Sequence, residues 1–226
     1  MCTSVRKISV TPTEDRFLPN SLELDPPNIK FGSWHKTTRA CNMLKLKENP
    51  PIRWPEKRSL SEDCGKWWLI YTKPRNEKAF AWELLQSNIS YYLPMIIKRS
   101  PRSDGKSRKS MICLFPSYIS IVDYPRFQNI LMQSNRIASV IHITDQDRFV
   151  KDLEQVHRII ENPLSDIQVH NETVVGKKAI IMAGPLKGCE GIIMNIANNN
   201  RLFINVEMFN RSISINVDPS FLKPVH

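Results

Sequence analysis

Trp67-Trp68-Leu69-Ile70-Tyr71-Thr72-Lys73-Pro74-Arg75 opens with a run dense enough in aromatic and apolar residues to form a buried strand. Pro74 breaks the run. Glu77–Gln86 then takes helical spacing, with Phe80/Leu84 and Ala81/Leu85 paired one turn apart. Asn88 is placed to end that helix in the left-handed conformation. Further out, Tyr91–Ile97 and Met111–Val122 read as strands, and the polar tract Lys98–Ser110 joins them into a long-tipped hairpin. Pro125–Ser134 reads as a helix with proline near its first turn. Ser139–Ile143 is a short strand, and Thr144-Asp145-Gln146-Asp147 resembles a capping box with Asp in the Glu position. The helix it opens carries Phe149, Leu153, Val156 and Ile160 on one face, with Glu154 and Arg158 opposite, and Pro163 ends it. The order strand–helix–strand–strand–helix–strand–helix predicts an α+β fold, with helices against one antiparallel sheet.

The flanks read differently. Residues 1–64 hold seven of the sixteen prolines and no sustained period, with Trp34 and Trp54 as isolated aromatics, so they are expected to be a poorly ordered extension. The α+β domain then spans 65–161, and residues 162–172 are expected to be a polar linker. Residues 173–226 are all β. Lys178–Ala183, Gly191–Ala197, Leu202–Met208 and Ser212–Val217 are strand candidates, separated by Gly184-Pro185-Leu186-Lys187-Gly188, Asn198-Asn199-Asn200 and Phe209-Asn210-Arg211. Short strands with tight turns in so short a segment predict a small barrel, which removes exposed edges by closing. Gly184 and Pro185 suit a tight turn, and Gly191 suits a close backbone approach.

At 226 residues and 41% hydrophobic, the chain can bury a core. No apolar run nears the ~18 residues of a membrane span, and the start Met1-Cys2-Thr3-Ser4-Val5-Arg6-Lys7 lacks the apolar core of a secretory signal, so a cytoplasmic protein is expected. Five scattered cysteines (Cys2, Cys41, Cys64, Cys113, Cys189) form no C-x-x-C pair, which argues against structural zinc and against a disulfide framework. The net charge is +10, which favours an acidic partner, most simply nucleic acid. Residues 65–165 carry 15 Lys and Arg against 9 Asp and Glu, while residues 166–226 carry 6 against 5. A polyanion surface therefore belongs to the middle of the chain. Lys98, Arg99, Arg102, Lys106, Arg108 and Lys109 crowd the hairpin tip, opposed there by Asp104, and are expected to reach polyanion, either upstream duplex DNA or emerging RNA. Walker loops, G-x-G-x-x-G and H-E-x-x-H are absent from the sequence. Cys113 and His142 could be imagined as nucleophile and base, but a strand cysteine is most often buried and inert. No enzyme, cofactor or metal is expected.

Two blocks carry a family resemblance. Trp67–Arg75 together with Leu114-Phe115-Pro116-Ser117-Tyr118-Ile119 resembles the N-terminal domain of NusG-type transcription elongation factors. Ala183-Gly184-Pro185-Leu186-Lys187-Gly188-Cys189-Glu190-Gly191 resembles the KOW motif that opens their C-terminal barrel, and Arg211-Ser212-Ile213-Ser214-Ile215 matches its continuation. The resemblance runs from about Lys66 to Val225.

The resemblance implies an elongation or antitermination factor that docks on the clamp helices of RNA polymerase through an apolar depression, at Tyr71, Phe115, Pro116 and Tyr118. It places Lys73, Arg75 and Arg136 where members touch exposed non-template DNA at the upstream fork. Arginine and lysine suit that contact, because phosphate needs fixed cations and Arg stacks on unpaired bases. A barrel presenting Gly184, Pro185, Gly188 and Gly191 implies a second partner, a ribosomal or termination protein. The long extension and cationic hairpin are similar to specialised, operon-directed RfaH/UpxY-like members. Where those carry a His-Thr-Thr turn that bridges the polymerase cleft, this chain has Gln128-Asn129-Ile130. The family glycine between Pro116 and Tyr118 is Ser117 here, expected in an extended strand. Action as a monomer is expected. The competing reading is a free-standing RNA- or ribosome-binding KOW protein, which a nearly neutral barrel disfavours.

Overall fold

The computed structural model describes residues 46–101, 105, 107–122, 127–162, 167–196 and 199–225, all within one compact unit, His35–His226. The expectations placed on residues 1–45, Arg102, Asp104, Lys106, Pro125 and Pro163 lie outside the described residues.

Strands β1 (Arg53–Trp54), β2 (Trp67–Thr72), β3 (Tyr91–Tyr92), β6 (Tyr118–Val122) and β7 (Ile137–His142) form an antiparallel sheet in the order β1-β3-β6-β2-β7. Between β3 and β6 the chain makes β4 (Met95–Pro101) and β5 (Ser107–Cys113), which pair only with each other. Helices α1 (Glu77–Gln86), α2 (Phe127–Gln133) and α3 (Gln146–Glu161) complete the domain. Alternation along β2 sends Ile70 to one side of the sheet and Leu69 to the other. Ile70, Ile119 and Ile121 share a core with Phe80, Leu84 and Leu85 of α1 and with Ile130 of α2. Leu69, Tyr92 and Val122 share the other core with Phe149, Leu153, Val156 and Ile159 of α3. The helices therefore lie against the antiparallel sheet, as expected, and cover both of its faces. Each such fully buried apolar side chain stabilises the fold by about 1.5–3 kcal/mol.

Several boundaries move. The extension expected to be poorly ordered becomes part of this domain from Leu46 onward. Arg53↔Tyr92 and Trp54↔Tyr91 pair as an edge strand, the Tyr91 hydroxyl donates to the Pro51 carbonyl at 3.0 Å, and Leu60 is buried. The polar tract Lys98–Ser110 is mostly strand, because a ladder of backbone hydrogen bonds holds whatever the side chains outside it are. The run Met111–Val122 breaks at Ser117, whose φ of 67° is left-handed, not extended. The Glu77 carboxylate holds that kink by accepting from Ser117 N at 2.6 Å. Helix α3 is capped by Asp145, not Thr144: its carboxylate accepts from Arg148 N at 3.0 Å. Gln146 then ties the helix start to β2, accepting from Trp67 N at 2.7 Å and donating to Trp67 O at 3.0 Å.

The C-terminal region forms a six-stranded antiparallel sheet from β8 (Gln168–His170), β9 (Lys177–Ile181), β10 (Glu190–Ile196), β11 (Asn199–Val206), β12 (Arg211–Asn216) and β13 (Leu222–Pro224), in the order β13-β9-β10-β11-β12-β8. Part of the expected linker is thus a strand, with Val169 paired to Ile213. Leu202, Ile204, Val206, Ile213 and Ile215 are buried in the same core as α3.

Candidate functional site

The resemblance pointed to Tyr71, Phe115, Pro116 and Tyr118, and the structure gathers three of them. Tyr71 and Tyr118 face each other across β2 and β6, in register, with ring centroids 5.1 Å apart. Phe115 lies just before the kink, buried, while Pro116 is exposed. The face they form is not open. Phe209, from the turn between β11 and β12, stacks on Phe115 at 4.3 Å and meets Tyr118 at 5.4 Å and Phe149 at 6.1 Å. Tyr71 is left 37% exposed.

Polar contacts surround this aromatic plug. Arg148 Nη2 pairs with Glu207 Oε1 at 2.6 Å and Lys151 Nζ with Glu190 Oε2 at 2.9 Å. Both pairs are half-exposed, so each contributes about 0.5 kcal/mol. Buried Gln155 accepts from Glu190 N at 2.6 Å through Oε1. Arg158 Nη1 donates to Lys187 O at 3.3 Å. Asp152, on the same helix, is desolvated here. Burial pushes its carboxyl up to about 6, Arg148 and Lys151 pull it back, and Glu207 and Asp145 push it further up.

Sequence reasoning did not find Phe209, Glu207 or Asp152. Phe209 had one available signal, a large aromatic in a turn where the alternation of β11 stops.

The expected fork-contact cations lie on the opposite face of the domain core. Lys73 Nζ donates to Asn135 Oδ1 at 3.0 Å. Arg136 pairs through Nε with Glu83 Oε1 at 2.6 Å and donates from Nη1 to Asn76 Oδ1 at 2.8 Å. Lys73, Asn76, Glu83 and Arg136 line a cavity of about 620 Å³. Arg75 is exposed beside it, with a left-handed φ of 63°. Glu83 offsets the charge of Arg136, so this surface is less cationic than the sequence alone suggests. Asn129 of the bridge position is exposed and Ile130 is buried. At the hairpin, Lys98, Arg99, Arg108 and Lys109 are all exposed.

The glycine turn has the geometry its residues require. Gly184 and Gly188 take left-handed φ of 81° and 85°, and Gly188 N donates to Ile181 O at 2.7 Å to close the turn. Pro185 is exposed and Leu186 is buried beneath it. A Cβ on Gly191 would overlap the Phe203 carbonyl oxygen.

Cys113 does not make a nucleophile. Burial, and after it the Glu77 charge, pushes its thiol up to about 12, while His142 stacks edge-on against Trp68 at 5.0 Å. Among the described residues, no group of His, Cys, Asp or Glu could hold a metal ion, and no helix is long and apolar enough to cross a membrane.

The α+β domain thus carries an aromatic face that a phenylalanine from the turn between β11 and β12 fills. The family described as NusG, transcription termination factor nusG, matches residues 65–174. Over that stretch the chain is similar to the NusG family, whose members are transcription factors. The match covers β2 to β8, leaves β1 outside and stops before β9. No curated protein matches the chain.

Proposed function

We propose that this chain is a transcription elongation and antitermination factor. Its aromatic face docks on the clamp helices of RNA polymerase and suppresses pausing or termination. The carrying observation is the face itself: Tyr71, Phe115 and Tyr118 converge on one apolar spot, and Phe209 already fills it. A helical clamp element and Phe209 would occupy the same space, so docking requires the C-terminal sheet to swing away. That sheet, read as a KOW barrel through its glycine turn, is then free to recruit a ribosomal or termination protein. Lys73, Arg75 and Arg136 follow non-template DNA beside the clamp. Operon-directed action of the RfaH/UpxY-like kind fits a factor held closed until it is recruited, and a cytoplasmic monomer is the working form.

The experiment is binding of the full chain to purified RNA polymerase. Phe209→Ala should bind more tightly than wild type, because it loses the competing plug. Adding Tyr71→Ala to that variant should weaken binding again without lowering the melting temperature appreciably. If Phe209→Ala binds no better, or Tyr71→Ala has no effect, the face is not the docking surface.

A further inference from the structure

Strands β4 and β5 form a ribbon separate from both larger sheets, paired from Met95↔Cys113 to Pro101↔Ser107. Directly paired residues share a face, and successive residues alternate between faces. Arg99 stands opposite Lys109 on one face, continuing Met95 and Ile97. Lys98, paired with Ser110, and Arg108, paired with Ser100, stand diagonally on the other. All four cations are exposed, and among the described residues none is in an ion pair.

Like charges directly opposite each other destabilise a strand pair. Arg99↔Lys109 is such a pair, at the far end of a ribbon with nothing acidic to offset it among the described residues. A polyanion would relieve that repulsion. The two-sided arrangement says which kind. A flat phosphate surface can neutralise only one face of a ribbon. Cations on both faces match two facing rows of phosphate, and those rows are the walls of a duplex groove. Two paired strands lie about 4.8 Å apart, and the B-form major groove, about 12 Å wide, admits a two-stranded β-ribbon. The A-form RNA major groove is too deep and narrow.

We infer that the β4–β5 ribbon enters the major groove of duplex DNA, with Arg99 and Lys109 against one phosphate row and Lys98 and Arg108 against the other. The inference deepens the nucleic-acid part of the function proposed above and is independent of docking on polymerase. Contact is with phosphate, so binding carries little base preference.

The test uses the full chain and a short naked DNA duplex, with affinity followed across a salt series. Each phosphate contact contributes about 0.9 to the slope of log affinity against log salt. Arg99→Ser with Lys109→Ser should therefore lower the slope by about 1.8, and Lys98→Ser with Arg108→Ser by the same amount, about 3.6 for all four. A duplex whose major groove is filled by glucosylated hydroxymethylcytosine should bind several-fold more weakly, while distamycin in the minor groove should change little. The inference is overturned if either double variant keeps the wild-type slope on duplex DNA, if the glucosylated duplex binds as well as the plain one, if double-stranded RNA binds as tightly, or if the double variants lower the slope on single-stranded DNA as much as on duplex. Because polymerase is absent, these outcomes are separate from failure of the clamp-docking reading. Unchanged circular dichroism of the variants confirms that the ribbon, not the fold, is being probed.

Discussion

Phe115 and Phe209 stack with their ring planes 27° apart and their centroids 4.3 Å apart, and this contact joins the α+β domain to the C-terminal sheet. Both rings are almost fully buried. Truncating a buried phenylalanine typically costs about 3–5 kcal/mol, whereas each half-exposed ion pair around it contributes about 0.5 kcal/mol. The contact is therefore apolar with a polar rim, and Phe209 shares it with the residues of β11 and β12 that are buried in the same core as α3.

Phe209→Ala should accordingly destabilise the closed chain by about 3 kcal/mol, and Arg148→Ala or Lys151→Ala by less than about 1 kcal/mol each. Urea unfolding of the three variants measures this. Comparable losses in all three would mean that the ion pairs, not the ring, hold the sheet in place.

Asp152 gives the stability of the folded chain a pH dependence. Its carboxyl sits at about 6 in the folded chain against the usual 3.8, so between those values the folded state holds a proton that the unfolded chain has released. The stabilisation is fully present below about pH 4 and is lost as pH rises through about 6. Asp152→Asn, which cannot ionise, should be more stable than wild type above pH 6, by on the order of 2 kcal/mol after allowance for residual solvent. Thermal melts at acid and neutral pH check it; a gap that is equal at both would remove Asp152 from the account.

How far the sequence revealed this molecule depends on the range of each signal. The bounds of β2 and α1 are those expected from their residues, because a dense apolar run and two i,i+4 pairs are local. The face of α3 is legible for the same reason. Strands β1, β8 and β13 have only two or three residues each, too few to show a period; they exist because a distant edge offers hydrogen bonds. Ser117 departs from extended geometry because Glu77, forty positions away, accepts its N–H. At the site, the family resemblance marked Tyr71, Phe115 and Tyr118, but nothing local marks Phe209 as their partner. Pairing across domains is a property of the fold, not of a motif.

Arg136 offers a test of the cavity beside α1. Its guanidinium is half-exposed and is held by Glu83, a pair that contributes about 0.5 kcal/mol. Glu83→Gln should leave stability within about 1 kcal/mol while freeing the cation. Single-stranded DNA binding should then gain about 0.7 in salt slope, the value for one added phosphate. An unchanged slope would make Arg136 a purely structural residue.

Glycines 184 and 191 separate two reasons for having no side chain. At Gly184 the backbone is left-handed, with φ 81°, and an added Cβ would meet nothing within 4 Å. Gly184→Ala should therefore cost only the conformational penalty, about 1–2 kcal/mol. At Gly191 the backbone is ordinary strand, but a Cβ would overlap the Phe203 carbonyl oxygen and approach Leu202 Cγ at 3.0 Å. The obstacle is backbone of the neighbouring strand, paired through Ile192↔Phe203, so relief requires β10 and β11 to part. Overpacking of this kind costs about 1–3 kcal/mol when side chains can adjust, and here the backbone must move. Gly191→Ala should therefore be the more damaging of the two. Because β11 leads directly into Phe209, the variant should also loosen the aromatic plug and raise the accessibility of Tyr71. Urea unfolding gives the ranking, and tyrosine-selective chemical modification reports the opening. A Gly191→Ala variant as stable as Gly184→Ala, with Tyr71 no more reactive than in wild type, would show that the strands tolerate the methyl and that the plug is not coupled to them.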